Sequence, residues 1–487
     1  MFFLWYNCFM SGKRNATFST VAFTVLIIGL VACTVIFLHG CGPYNTDAAL
    51  TNGDGPGINS SQTPDLPPTN TTPALTPAST PPASANPNPP SVTDPSVGST
   101  PPSSPSPTQT LPPPTPQVPS EDLTGELTIN ISDGKRASVL LDRDYNTRHV
   151  FRTGATIEIS SDTEICSLYV IWSLPPGQWE LAGTQVYDCG LYGFIHEYIP
   201  LSEPATVLTM SLPENGAALC DIYAFSEGVP PDWVQVWQPP LEKADLLVLP
   251  THADDEHLSF VGILPYYAGE LGYGVQVAYL TNHWNERPRP HELLNGLWTV
   301  GIRNYPVISD FRDRYAETLS QAISIYGRAN IVDFQVELLR RFKPLVVVGH
   351  DLNGEYGHGV HMLNAHALLD AVEYAADLGY HEDSYLRYGL WDTPKLYLHL
   401  YRENSITLDW SIPLERFEGA TAFDMAVAGY DCHKSQHRWS FRVPASGPRG
   451  HNFGLARSLV GNDITGGDLF ENIDPDLLVK GSNNAAT

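Results

Sequence analysis

Two stretches carry residue types that do chemistry together. Residues 246–260 read LLVLPTHADDEHLSF, and residues 354–361 read GEYGHGVH. In the first, an apolar run enters two histidines and three adjacent carboxylates. Like charges at the end of a buried strand are costly unless a cation or a proton offsets them. Neutral imidazole and ionised carboxylate are good ligands for zinc and similar divalent ions. His252 and Asp255 are three residues apart, so at a helix start they face one point, while Asp254 projects differently and can hold a proton. His358 and His361 repeat that spacing at a second predicted helix start. Two histidines and one carboxylate leave a position for water, the layout of a catalytic rather than a structural zinc. Such an ion lowers the pKa of its water toward ~7, and a neighbouring carboxylate then takes the proton as the water attacks a carbonyl. Either stretch alone is weak: HxxH is commonly a surface helix pair, and DDE a solvated helix start.

The elements that must position these residues are readable from Ala244 onward. ADLLVLP, GVQVAYLT, KPLVVVGHD and KLYLHLY read as buried strands. LSFVGILPYYAGELG, ELLNGLWTVGI, AETLSQAISIYG, IVDFQVELLRRF and GVHMLNAHALLDAVEYA read as helices. This alternation predicts an α/β fold with a Rossmann-like, doubly wound, mostly parallel sheet. Ligands of such sheets sit beyond the carboxyl ends of the strands. The loops HADDE, LTNHWNERPRPHE and His350 to His361 are therefore expected at one edge.

Read in order, THADDE, LTNHWNERPRPHEL and GEYGHGVH resemble the motifs of the PIG-L (LmbE-like) deacetylases, zinc hydrolases that remove acetyl groups from N-acetylglucosaminyl compounds. The resemblance runs from Ala244 to about Asp463. It implies that His252, Asp255 and His361 hold Zn2+, or another divalent metal. It makes Asp254 the general base, and His358 the group that steadies the oxyanion or protonates the leaving amine. Arg289 would contact the substrate sugar, Glu292 would support that loop, and Tyr356 would sit near the reacting acetyl group. CHKSQ (Cys432 to Gln436) resembles a late family motif, which sets His433 and Gln436 along the pocket. Two positions depart from the pattern. Ala253 stands where the family has Pro, which removes a fixed φ but no chemistry. Val360 stands where the family has an Asp beside the catalytic histidine, which alters the surroundings of His358 but removes no metal ligand. His257, His283, His291 and His366 match no role and read as surface or core. His350 reads as support behind the ligands, His399 as a packed strand residue, and Asp310 and Arg312 as further substrate contacts.

Upstream, residues 121–240 carry short alternating runs between Gly, Pro and Asp turns, the pattern of a β-sandwich. LLDRDYNTR, GATIEI, SLYVIW and PPDWVQVW resemble galactose-binding-like (discoidin-type) domains, which implies a jelly-roll-like fold and a sugar ligand. Trp172, Trp179, Tyr187 and Trp233 are then either stacking platforms or core. Residues 45–120 hold half of the 42 prolines, no Lys or Arg and no aromatic residue, and read as a disordered Pro/Ser/Thr-rich linker. In residues 1–44, Lys13 and Arg14 precede 18 uncharged apolar residues from Val21 to Leu38. As a helix these span ~27 Å, enough to cross a bilayer, with the basic flank cytoplasmic. FLHGCG resembles a bacterial lipoprotein signal that would acylate Cys41. An uncleaved anchor and a released form are the alternatives, and all three place the remainder outside the cytoplasm. The 241–487 part is the expected deacetylase domain.

The formal net charge of −26 argues against nucleic acid or an anionic membrane surface as partner. Cys166, Cys189 and Cys220 leave one disulfide open. The expectation is an extracytoplasmic, membrane-tethered, zinc-dependent deacetylase of N-acetylglucosamine-type glycans or glycoconjugates. A non-catalytic cell-surface carbohydrate-binding protein with a decayed hydrolase domain is one alternative. A zinc amidase of a small secreted metabolite is the other.

Overall fold

The computed structural model describes residues 118–212 and 217–480. The apolar run Val21 to Leu38, Cys41 and the Pro/Ser/Thr-rich stretch up to residue 117 lie outside the described residues. Among the described residues no helix is long and apolar enough to cross a membrane.

Period-two alternation organises the first half. Strands β1 (Thr128–Ile131), β2 (His149–Val150), β3 (Thr156–Trp172), β4 (Trp179–Ala182), β5 (Val186–Cys189), β6 (His196–Ser211) and β7 (Ala218–Phe225) pair antiparallel. Their order is β2-β7-β3-β6-β4-β5, with β1 also on β3. Hydrogen bonding is continuous through the long β3–β6 pair, where the register slips between Ser160 and Ser167, rather than split between two sheets. Such irregularities bend and twist strands. The second half of β3 is buried on both faces: Leu168, Val170 and Trp172 join one cluster, Tyr169 and Ile171 another with Tyr223 and Val234. Trp172 and Trp179 are core residues, not platforms; both indole N–H groups donate to Glu197, at 3.3 and 3.0 Å. Trp233 is exposed, and Tyr187 is half-buried. Cys166, Cys189, Cys220 and Cys432 are all unpaired, so none of the open disulfides forms.

The second half is built from β8 (Leu246–Val248), β9 (Val275–Tyr279), β10 (Val307–Ile308), β11 (Val346–Gly349), β12 (Lys395–His399), β13 (Ser405–Thr407) and β14 (Asn452–Ser458). The order is β10-β9-β8-β11-β12-β14-β13. The first five are mutually parallel; β14 and β13 add antiparallel. Successive strands run outward from β8 on one side through β9 and β10, and on the other through β11 and β12, so the order reverses beside β8. Helices are α1 (Asp255–Leu258), α2 (Pro288–Thr299), α3 (Leu319–Tyr326), α4 (Arg328–Phe342), α5 (Gly359–Ala375), α6 (Glu382–Tyr388) and α7 (Ala422–Asp431). The run LSFVGILPYYAGELG does not form one α-helix. It breaks at Val261 (φ 29°), and Leu264–Glu270 winds as a π-helix. Pro265 withholds an N–H there, and a Cβ on Gly262 would meet the Trp410 ring at 2.4–2.8 Å.

One apolar cluster runs from the first sheet into the second, through Phe194, Ile195, Trp237, Leu297 and Tyr305. Polar contacts cross the same boundary. Tyr305 lies 3.1 Å from the Ile195 N–H through its hydroxyl, Gln235 donates to Asn295, and the His196 and His291 rings meet Nε2 to Nδ1 at 2.9 Å. Burial lowers His196 to about 4 and His291 well below its ordinary range. Each imidazole is therefore neutral in the fold but would take a proton once released. The unfolded chain binds more protons below about pH 6.5, so this boundary is stable above that pH and loses stability as pH falls toward 4. His196→Gln is expected to flatten that part of the pH–stability curve, measured by urea unfolding at pH 4.5 and 7; an unchanged slope would place the acid sensitivity elsewhere.

Candidate metal centre and active site

Beyond β8 the chain turns at Thr251 into the short α1. The Asp255 carboxylate folds back over that turn, and its Oδ2 accepts the N–H groups of Thr251 (3.2 Å) and His252 (2.7 Å). This satisfies the buried amides of the turn that leads into α1. α5 begins beyond β11, and its first residue must be small: a Cβ on Gly359 would meet the Thr318 carbonyl oxygen at 2.3 Å. That close approach sets His361 beside the β8 turn. His252 Nδ1 lies 2.8 Å from His361 Nε2 and 3.3 Å from Asp255 Oδ2, and His361 Nε2 is 3.2 Å from the same oxygen. A tetrahedral zinc with bonds of ~2.0–2.1 Å sets its ligand atoms about 3.3 Å apart. The donor types and their convergence fit such an ion. The electrostatics agree. Burial alone would lower His252, yet Asp255 and Asp313 push it up to about 10, while burial takes His361 down to about 4. The two carboxylates thus favour positive charge at His252, while burial keeps His361 a neutral donor.

Asp254 sits beside this centre with φ 134° and ψ −22°, outside the regions ordinary residues occupy. Its N–H donates to Glu256 at 2.9 Å, and Arg289 from the first turn of α2 donates to the Ala253 carbonyl at 2.6 Å. These bonds hold the strained turn. The Arg289 guanidinium stands 3.7 Å from the Asp254 carboxylate. Burial, opposed by Arg289 and reinforced by Asp255, raises Asp254 to about 7. A carboxylate so placed can accept and return a proton near neutral pH.

Behind the ligands, His350 stacks on His361 with centroids 4.4 Å apart and rings 4° from parallel. His350 Nε2 accepts from the Thr251 N–H at 3.0 Å, which leaves Nδ1–H facing Glu355 at 3.3 Å. Glu355 also meets His399 Nδ1 at 2.8 Å, and His399 Nε2 donates to the Arg449 carbonyl at 2.7 Å. His350 thus braces His361 and the Thr251 turn, and His399 does more than pack in a strand.

A cavity of about 340 Å³ opens over the centre, lined among others by His252, Asp254, Arg289, Asp313, Tyr356 and His358. His252, Asp254, Arg289, Tyr356 and His358 line it, and Asp255 and His361 meet His252 directly beneath it. Gln436 lines it too, whereas His433 does not. His433 is sealed below with His257 and Glu256, 3.2 Å from the Glu256 carboxylate. Two glycines make room for these rings, and a Cβ on Gly429 of α7 would meet His257 at 2.4–2.8 Å. Gly429→Ala is expected to destabilise the fold by about 1–3 kcal/mol through overpacking, read as a lower urea midpoint; an unchanged midpoint would mean the rings can move aside. Glu292 ties α2 to the CHKSQ segment rather than bracing the Arg289 loop, accepting the Ser435 N–H at 2.8 Å and its hydroxyl at 2.5 Å.

Asp310 and Arg312 are corrected: both are exposed and absent from the cavity. Asp313 takes that place, 3.4 Å from His252 Nε2 and 3.6 Å from His283 Nδ1. His283, read as surface or core, accepts from the Ala253 N–H at 3.3 Å and so braces the same turn. Residues 310–314 alternate in burial, which turns Phe311 and Asp313 inward; nothing local in the sequence marks Asp313 or His283. Val360 is fully buried in the apolar cluster of α5, and His358 Nδ1 is buried with no hydrogen-bond partner.

No family model and no curated protein matches the chain. Solved structures with similar parts include the N,N'-diacetylchitobiose deacetylase from Pyrococcus horikoshii, at 18% identity and TM-score 0.32, covering 49% of this chain and 90% of that one. The 4-carboxy-2-hydroxymuconate hydratase GalB from Pseudomonas putida matches at 16% identity and TM-score 0.30, over 46% and 100%. A family 32 carbohydrate-binding module of NanJ from C. perfringens, in complex with galactose, matches at 12% identity and TM-score 0.20, over 22% and 99%.

Proposed function

We propose that this protein is a metal-dependent N-deacetylase, with zinc as its ion. It removes the acetyl group of N-acetylglucosamine-type units in a glycan or glycoconjugate. The basic and apolar N-terminal sequence supports a membrane-tethered, extracytoplasmic site of action. The observation that carries the reading is the meeting of His252 Nδ1, Asp255 Oδ2 and His361 Nε2 within 3.3 Å, beside a buried, strained Asp254. A divalent ion on these three atoms supplies a Lewis acid and a water of lowered pKa. The chain supplies the rest. Asp254 takes the proton of the attacking water and is positioned to return it to the leaving nitrogen. His358, held neutral by burial and by His252 and His361 at about 3, donates a hydrogen bond to the oxygen that gains charge. Arg289 orients the sugar while fixing the Ala253–Asp254 turn, and Tyr356 closes one side of the acetyl group. The test is acetate release from a panel of N-acetylated sugars by zinc-loaded protein. No release from any of them would end the reading.

The unpartnered His358 Nδ1, two residues before a Val360 that stands where the resemblance expects an Asp, favours a second reading: a glycan-binding protein with a decayed hydrolase centre. Purified protein that binds glycan but holds no metal would establish it.

A further inference from the structure

The chain has 53 acidic and 27 basic residues, yet Cys432 to Asn462 contains Lys434, Arg438, Arg442, Arg449 and Arg457 and no Asp or Glu. Arg457 is used by Glu373 and Asp392. Arg438, Arg442 and Arg449 are exposed and make no ion pair among the described residues. Arg442 donates only to the carbonyl of Phe441, and Arg438 lies over its neighbour Trp439. Such charges, left free in a strongly acidic protein, are what an anionic ligand requires.

Their location supplies the second observation. A further cavity of about 620 Å³ adjoins the catalytic one, and Tyr356 and Phe441 line both. Arg442 and Arg449 line the further cavity. Tyr356 stacks on Phe441 at 5.3 Å, is 60% exposed, and is held with φ 48° in the left-handed region. An exposed tyrosine backed by a half-buried phenylalanine at the junction of two cavities is a surface on which a sugar ring stacks. Of the carboxylates around the further cavity, Glu355 is occupied by His350 and His399, and Asp351 accepts two bonds from Asn353. Within this cavity Asp351 is the carboxylate left to compete for the two arginines, and Asp431 lines a separate cavity with Arg442.

Building on the deacetylase reading, we propose that the substrate is a multi-sugar chain in which the unit next to the acetylated one carries an anion. That unit lies in the further cavity against Tyr356 and Phe441, and Arg442 and Arg449 meet its carboxylate, sulfate or phosphate.

The test uses the full chain and three tetrasaccharides: neutral N-acetylchitotetraose, its 6-sulfated form, and one alternating glucuronate with N-acetylglucosamine. Binding is measured by calorimetry on the Asp254→Asn protein, and acetate release on the wild type. At least one anionic chain is expected to bind and react roughly tenfold better than the neutral one. That preference should fade at high salt and vanish in R442A/R449A, with neutral turnover unchanged. Preference for sulfate or for carboxylate identifies the anion. Equal binding of all three, or a preference that survives R442A/R449A, overturns the proposal. Charge-selective binding without acetate from any chain would uphold the cleft and defeat the deacetylase reading instead.

Discussion

Asp254→Asn is expected to keep the metal and the fold and to lose most of the activity. General-base catalysis contributes roughly 10²–10⁴-fold, so kcat/KM for acetate release should fall by that much. The substitution is nearly isosteric. The bonds that hold the turn use the Asp254 N–H and the Ala253 carbonyl, not the carboxylate that is changed. The nearest cation, Arg289, stands 3.7 Å away, so its loss of a partner is small beside the loss of a proton acceptor. Metal content and melting temperature should match the wild type. A variant with more than roughly a third of wild-type kcat/KM would show that another group takes the proton.

The second large effect concerns the ion. His361→Ala, or treatment with a chelator, is expected to abolish metal binding and acetate release together. The buried imidazole pair and carboxylate then have only a proton to offset their mutual contacts. At free metal one hundred times its Kd, the ion stabilises the folded state by about 2.7 kcal/mol. Its removal should therefore lower the melting temperature by several degrees, and readded zinc should restore it only where His361 is intact. Metal analysis with a thermal scan checks both. Metal retained at one equivalent by His361→Ala would move the ion elsewhere, with the sealed Glu256–His257–His433 group as the next place to look.

The parallel strands and the convergence of His252, Asp255 and His361 were legible because their signals are local. ADLLVLP and KPLVVVGHD are apolar runs of strand length, and the three-residue spacings at the helix starts survive into the structure. Residues that act across the fold were not. His283 and His399 look like ordinary core histidines; only the arrival of Ala253 and Glu355 beside them gives them work. Asp313 was missed by one position, since in an extended stretch the neighbour of an exposed residue faces inward. Trp172 and Trp179 show the converse. Aromatics in a strand are ambiguous until both faces of that strand are known, and both faces of β3 are covered.

The shared core between the two sheets limits how this protein can change. Trp237 and Tyr305 pack edge-on at 5.5 Å, and Phe194 of the first half stacks on Tyr305 at 4.4 Å. α2 carries Arg289 into the cavity and His291 into the boundary. Exchanging the antiparallel half for an unrelated module would leave that helix with a wet, apolar flank. New specificity is therefore open to point substitutions around Tyr356 and Arg442, and closed to the shuffling of whole domains.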